Sequence, residues 1–426
     1  MKSVILTGLL ALASHAGLCT AQNFDPNKAA PQNWDLSKIG TDKKTNATFS
    51  NPVSTENIGD PFMTKYTSDG QDWYLYTFST NDNITLKRSR SLTDNWDDAE
   101  TRVVFKPNAT GADAGKPWST SIWAPEIHNI SGKWYIIFTA TPDGDNPPPL
   151  QDAICPINCP AVNHRMFVLE STGSDPWTSD FPMKSMLDTY DQFAIDGTYF
   201  SYKDKLYHIY SCWENAYSAW PANLCITEMS DPWTVSSSLS ERQIVSFSHD
   251  EKDGHGTPKE TTALTSDIDL DPRPALGTGA LRPTDPAGDQ RGPAAADEPQ
   301  DGPELRHLLG GAGQHPYYCL GMLELVGNDP MQYQSWRKHK EGCVFHQNTQ
   351  AGVYGTGHAS FTTSPDGKED YIVYHAQTTA NPVADLYRTA RIQKFGWNAD
   401  GTPNFPLAEN GPFPVPAGQK ERAMAK

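Results

Sequence analysis

The 426-residue chain carries a formal net charge of −17 and is 37% hydrophobic and 11% aromatic. So acidic a chain is a poor partner for nucleic acid or an anionic membrane surface, and it suits something neutral such as a polysaccharide. No run after the leader approaches 18 apolar residues, so no membrane span is expected.

The chain opens MKSVILTGLLALASHAGLCTAQ. Lys2 precedes an apolar run, and Cys19, Thr20 and Ala21 place small residues at a cleavage position. This predicts a secretory signal peptide over 1–21 and an extracellular protein, the alternative being a buried N-terminal helix. Residues 22–56 read as an N-terminal segment, 57–418 as the main domain and 419–426 as a tail. Sequons at Asn46, Asn83, Asn108 and Asn129 fit a glycosylated secreted protein. Six cysteines remain after cleavage: Cys155, Cys159, Cys212, Cys225, Cys319 and Cys343. An even count in an oxidising compartment predicts disulfides. Six cysteines allow 15 pairings. Cys155/Cys159 and Cys212/Cys225 are the shortest loops to close, and the spacing is not that of a metal site.

Short aromatic, β-branched runs bounded by Gly, Asn, Asp and Pro dominate the rest, so the expected class is all-β. One phrase recurs. WYLYTF follows Asp69-Gly70, WYIIFT follows Ser131-Gly132-Lys133, LYHIYS follows Lys203-Asp204-Lys205, and DYIVYH follows Asp366-Gly367. Each reads as a turn and then a central strand. With Tyr74, Tyr135, Tyr207 and Tyr371 as markers, the steps are 61, 72 and 164 residues. All-β repeats of this period are propeller blades. The last step is twice too long, so a fifth marker is missing between Tyr207 and Tyr371.

Four further phrases each precede a marker strand: Ile58-Gly59-Asp60-Pro61, Trp123-Ala124-Pro125-Glu126, Ala194-Ile195-Asp196-Gly197-Thr198, and Gly355-Thr356-Gly357-His358-Ala359-Ser360-Phe361. From about Asn57 to Phe405 the chain resembles glycoside hydrolase family 43. The phrases AIDGT, SCWE, YCLGMLEL and RIQKFGWNADGTPNF look most like its exo-acting α-1,5-L-arabinofuranosidase branch. The resemblance implies a five-bladed β-propeller that hydrolyses arabinan or arabinoxylan side chains with inversion. It implies Asp60 as general base and Asp196 as the residue that tunes the acid's pKa. It also implies a general acid, a Glu in an Asn-Glu-Gly-Pro motif before the fourth marker strand. An inverting glycosidase needs that second carboxyl about 6.5–9.5 Å from the base. No Asn-Glu-Gly-Pro occurs in this chain.

The motif's expected place falls in a segment of foreign composition. Ser248 to Pro316 contain no Phe, Trp or Tyr. At the chain's aromatic content, chance gives such a run on the order of one time in a few thousand. Advancing the reading frame by one base changes its meaning. Each new codon then takes its outer letters from neighbouring residues and its middle letter from a wobble base. Asp289-Gln290-Arg291-Gly292-Pro293-Ala294 then permits Ile-Asn-Glu-Gly-Pro. Ala275-Leu276-Gly277-Thr278 permits Pro-Trp-Glu-Arg. Leu305-Arg306-His307-Leu308-Leu309-Gly310 permits Phe-Val-Ile-Tyr-Ser-Ala, a marker strand where the repeat lacks one. Residues 256–316 therefore read as a frame-shifted translation that damages the fourth blade. The alternative is a genuine Pro/Gly/Asp-rich disordered insert.

Taken singly, Asp60 before proline and Asp196 before glycine are ordinary turn residues. Their place before marker strands makes them catalytic candidates. Trp123 is core or a stacking platform for a furanose ring. Glu126 is a substrate contact or a buried structural partner of Arg388 or Arg391, and Arg391 is itself a candidate substrate contact. The resemblance places His358 in the central channel, near water or an ion such as structural Ca2+. No cofactor is required, and a monomer is expected. Three readings of the function follow: the arabinofuranosidase, a β-xylosidase or endo-arabinanase of the same fold, and a catalytically dead carbohydrate-binding propeller.

Overall fold

The computed structural model describes residues 48–142, 163–190, 192–213, 223–246, 318–339, 343–380 and 387–419. The signal peptide, Asn46, Cys155, Cys159 and residues 256–316 lie outside the described residues. Among the described residues helix is confined to short 3-10 turns, and the rest is strand and loop.

After β1 (Thr48–Phe49), the chain builds successive antiparallel sheets, each from consecutive strands. The first contains β2 (Gly59–Ser68), β3 (Gln71–Ser79), β4 (Ile84–Ser89) and β5 (Glu100–Phe105). The second contains β6 (Thr120–Ile130), β7 (Lys133–Thr141), β8 (Arg165–Glu170) and β9 (Met183–Met186). The third contains β10 (Ala194–Tyr202), β11 (Lys205–Cys212), β12 (Asn223–Asp231), β13 (Thr234–Val235) and β14 (Gln243–Ser246). A two-stranded piece follows, β15 (Leu323–Leu325) with β16 (Trp336–Lys338). The last full sheet contains β17 (Tyr354–Thr363), β18 (Asp370–Gln377), β19 (Arg388–Trp397) and β20 (Pro403–Asn404). Finally β21 (Phe413–Pro414) pairs with β1.

The first strands of the sheets, β17, β2, β6 and β10, pack successively against one another. This is a propeller-like arrangement with four blades among the described residues. Apolar layers separate the blades. Phe62, Leu75, Ile127 and Ile136 fill the first interface, and Tyr135, Ile137, Met166 and Tyr199 the second. Met63, Tyr74, Tyr371 and Ile392 join the last blade to the first. Where the fourth blade is expected, β16 supplies Trp336 to a layer with Phe200, Tyr207 and Leu224 of the third blade. Leu320 and Phe345 pack instead on Tyr374 and Phe395 of the last blade.

The marker strands are β3, β7, β11 and β18, the second strand of each blade. One marker needs correction. Gly59, Trp123, Ile195 and Gly357 pair with Ser79, Thr139, Ser211 and His375. In that register Leu75, not Tyr74, is equivalent to Tyr135, Tyr207 and Tyr371. Leu75 faces the following blade as those three do, whereas Tyr74 faces the preceding one. A shift of one residue along a strand exchanges the two faces. Tyrosines at both positions concealed it.

Residues 51–56, read from sequence as separate from the main domain, run along the last blade. Val53 N–H donates to Ala390 O (2.9 Å) and Asn51 Nδ2 to Ile392 O (3.0 Å). Lys87, buried in the first blade, reaches Glu56 at 2.8 Å. The sequon residues Asn108 and Asn129 are exposed, and Asn83 is partly so.

Two disulfides are present among the described residues, Cys212–Cys225 across β11 and β12, and Cys319–Cys343. The first closes a loop with a sequence separation of 13 residues. Replacing both Cys212 and Cys225 by Ser is expected to lower stability by about 3 kcal/mol, chiefly by freeing the unfolded chain. A urea titration checks this through an earlier midpoint, with a slope equal to or steeper than the parent's as the unfolded chain expands.

Candidate active site

Each inner strand carries a bulge at the same register position, and β6 and β17 slip a second time nearer their start. At the shared bulge one non-glycine residue of each strand has a left-handed backbone. These are Asp60 (φ 59°), Ala124 (φ 43°), Asp196 (φ 54°) and His358 (φ 43°). Each such residue costs on the order of 1–3 kcal/mol, and such strain collects at functional sites. Two of the four are the aspartates singled out from sequence. A third is His358, and the fourth adjoins Trp123.

The bulges are tied to one another by a repeated bond. Asp60 N–H donates to His375 Nδ1 (3.1 Å), Ala124 N–H to Ser79 Oγ (2.7 Å), and Asp196 N–H to Thr139 Oγ1 (3.1 Å). The acceptor always belongs to the second strand of the preceding blade. Asp60, Ala124, Asp196 and His358 are therefore equivalent by position and lie at one end of the ring. Trp123 Nε1 donates to Asn81 Oδ1 (2.7 Å), and its ring stacks on His164 at 4.1 Å. His164 O in turn accepts from Ala194 N–H at 3.1 Å, two residues before Asp196.

The carboxylate of Asp60 is the centre of a charged cluster. Its Oδ1 lies 3.1 Å from Arg388 Nη1, 3.2 Å from His358 Nδ1 and 3.5 Å from His375 Nδ1. Ser79 Oγ donates to Oδ2 at 2.6 Å. Burial pushes this carboxyl up, but Arg388, then His358, His375 and Ser79, together hold it well below the usual carboxylate range. It stays ionised at any ordinary pH. Gly59 makes room for the guanidinium, since a Cβ there would lie 2.1 Å from Arg388 Cζ. His375 is fully buried, and desolvation first, then Arg388, holds its pKa well below normal. Its ring is therefore neutral.

Three expectations meet the structure here. Arg391 is 2% exposed and donates to Asn410 Oδ1 at 2.6 Å. It lies three positions from Arg388 along β19, an odd step, so the two side chains leave opposite faces. Arg388 is the arginine beside the aspartate, whereas Arg391 is buried against Asn410. Arg388 pairs with Asp60, and Arg391 with Asn410. Glu126 Oε2 lies 3.0 Å from His128 Nε2, in a site where Glu126 is 4% exposed. The His128 ring packs against Phe62 (4.9 Å) of the first blade and Tyr199 (5.2 Å) of the third. Third, His358 Nδ1 faces the Asp60 carboxylate beside Arg388, with the His375 ring 6.3 Å away. Among the described residues no three His, Cys, Asp or Glu side chains are grouped to hold a metal ion.

The sequence profile of glycosyl hydrolases family 43 matches residues 49–260 and 310–403. The chain belongs to glycosyl hydrolases family 43. The unmatched interval falls inside the 256–316 segment. An extracellular exo-alpha-(1->5)-L-arabinofuranosidase of Streptomyces avermitilis is 32% identical over 86% of this chain and 65% of its own length. The chain thus spans less than two thirds of that relative. An enzyme of the same description from Streptomyces chartreusis is 27% identical over 80% of this chain and 85% of its own. The crystal structure of an alpha-L-arabinofuranosidase from Lactobacillus brevis superposes with a TM-score of 0.58 at 25% identity, covering 87% of this chain and 98% of that one. In this family 43 chain, sequence reasoning singled out Asp60, Asp196 and His358, which occupy equivalent bulges, and Trp123 beside the fourth. It missed Ser79, His375 and the role of Arg388. The available signal was the hydroxyl or imidazole that ends each marker phrase at Ser79, Thr139, Ser211 and His375.

Proposed function

We infer that this chain is a secreted, inverting, exo-acting α-L-arabinofuranosidase built on a five-bladed propeller. The observation that carries this reading is the Asp60 cluster, on a chain of family 43 similar to arabinofuranosidases. Asp60 is the general base. A carboxylate oxygen accepts two hydrogen bonds, and Oδ2 has one place taken by Ser79. The other place holds a water for attack on the anomeric carbon, and Asp60 takes its proton. Arg388 and the two histidines fix the carboxylate's orientation. Asp196, at the equivalent bulge two blades on, keeps the general acid protonated by like-charge repulsion. The acid itself is a Glu encoded in the correct frame across 256–316. Trp123 is a wall against which the furanose ring packs.

The frame-restored protein is expected to release arabinose as the first and only small product from linear α-1,5-arabinan. Chromatography of early time points checks this, and arabino-oligosaccharides appearing first would mean endo action. Preference for a nitrophenyl β-xyloside over the α-L-arabinofuranoside would mean a xylosidase. One observation favours a second reading, a carbohydrate-binding propeller without catalysis: the sequence as written lacks Asn-Glu-Gly-Pro. Binding of arabinan without turnover by a chain whose transcript matches the written sequence would select it.

A further inference from the structure

The bulge bond of Asp60 differs from its two counterparts. Ala124 and Asp196 donate to hydroxyls, Ser79 Oγ and Thr139 Oγ1, and each hydroxyl passes its own proton on. Ser79 donates to Asp60 Oδ2 and Thr139 to Met166 Sδ (3.4 Å). At the Asp60 bulge the acceptor is an imidazole, His375 Nδ1. The ring is fully buried, and its other nitrogen, Nε2, has no hydrogen-bond partner among the described residues. Leaving a buried N–H unpaired costs about 1–3 kcal/mol, so the ring's presence needs a reason beyond filling space.

We propose that His375 is the positioning residue of the active site, holding Asp60 in its left-handed backbone through Nδ1 acting only as an acceptor. This rests on the reading of Asp60 as the base. Asp60 N–H occupies Nδ1, so the proton of the neutral ring sits on Nε2. A hydroxyl at this place would bring a further donor to Oδ1, which already faces Arg388 and His358. It would draw the carboxylate away from the water on Oδ2. Tyr318 holds the ring in place. It stacks on His375 with centroids 5.6 Å apart and planes 15° apart. Gly357 admits Tyr318 there, since a Cβ would fall 2.3 Å from Tyr318 Cε1. The neighbouring Cys319–Cys343 disulfide anchors the segment that carries Tyr318.

The test compares His375→Asn, whose Oδ1 can stand where Nδ1 stands, with His375→Phe, which keeps a ring and loses the acceptor. Both are made in the frame-restored chain and compared by melting temperature, kinetics on nitrophenyl α-L-arabinofuranoside and amide hydrogen exchange of the Asp60 peptide. The Phe variant is expected to lose about 100-fold in kcat, the size of loss an ångström of misplacement brings, with KM nearly unchanged. The Asn variant should stay within a few-fold of the parent and keep the Asp60 amide protected. A role in packing alone predicts the reverse order. Phe as active as the parent, or Asn as impaired as Phe in a folded protein, would overturn the proposal. If the parent itself does not hydrolyse arabinofuranosides, the functional reading fails. Exchange then still decides, with protection kept in Asn and lost in Phe supporting the positioning role and equal protection overturning it.

Discussion

Asp60→Asn in the frame-restored protein is expected to lower kcat/KM on arabinan by roughly 10²–10⁴-fold, the range attributable to a general base. An amide cannot take a proton from water at this pH, yet Asn still accepts from Ser79 and still fits the bulge. The fold should survive, at some cost. Arg388 loses its carboxylate partner, and a partly buried guanidinium left unpaired is destabilising. The pH dependence follows from the same cluster. Asp60 has its pKa depressed in the folded state, so its ion pair contributes fully above the unfolded value of about 3.9. The contribution is lost as pH falls through the folded value. The gap in melting temperature between parent and Asp60→Asn should therefore be widest near neutral pH and shrink below pH 4. Any acidic limb in the activity profile above pH 4 belongs to another carboxyl, because Asp60 is ionised throughout that range. Thermal melts from pH 2 to 7 and a pH–rate profile check both points. Activity of the Asn variant within a few-fold of the parent would remove Asp60 from the mechanism.

Strand type, blade period and the bulge phrases were legible because they are local. A turn, an aromatic run and a strained residue before it lie within some 20 positions of one another. Cys212–Cys225 was legible for the same reason, bridging adjacent strands joined by a short connection. What the sequence hid was contact over distance. Asp60 and Arg388 are 328 residues apart, and Asp60 and His375 are 315 apart. They meet because the last blade closes against the first. Nothing in local spacing distinguishes Arg388 from Arg391, which share a strand and differ only in the face they leave. The choice between Tyr74 and Leu75 failed likewise. Both fit a central strand, and only the pairing of Gly59 with Ser79 fixes which one faces the next blade.

Restoring the reading frame across 256–316 is expected to recover folding and hydrolysis together. As written, the chain lacks the Asn-Glu-Gly-Pro motif and a marker phrase between Tyr207 and Tyr371, which the repeat calls for as the central strand of one blade. A blade without that strand cannot bury its aromatic face, and its neighbours lose a packing partner. The written chain should therefore express poorly, and any folded fraction should be inactive on arabinan. A nitrophenyl arabinofuranoside, whose leaving group needs no proton, should still react slowly, since acid assistance alone is missing. The repeat gives the missing residue a seat. Ser211 pairs with Ile195 on β11 as Ser79 pairs with Gly59 on β3 and Thr139 with Trp123 on β7. Ser79 and Thr139 each accept the backbone N–H of the next blade's bulge residue. Aligned by bulges, Asn-Glu-Gly-Pro puts its Glu where Asp60, Asp196 and His358 stand, so Ser211 Oγ should accept that Glu's N–H. Ser211→Ala should then reduce kcat in the restored protein and leave the slow nitrophenyl reaction of the written chain untouched. An equal effect in both would detach Ser211 from the acid. The transcript decides the premise. If cDNA encodes Asp289-Gln290-Arg291-Gly292-Pro293 in frame, the segment is a genuine insert, the acid is absent from the natural protein, and the binding propeller becomes the better reading.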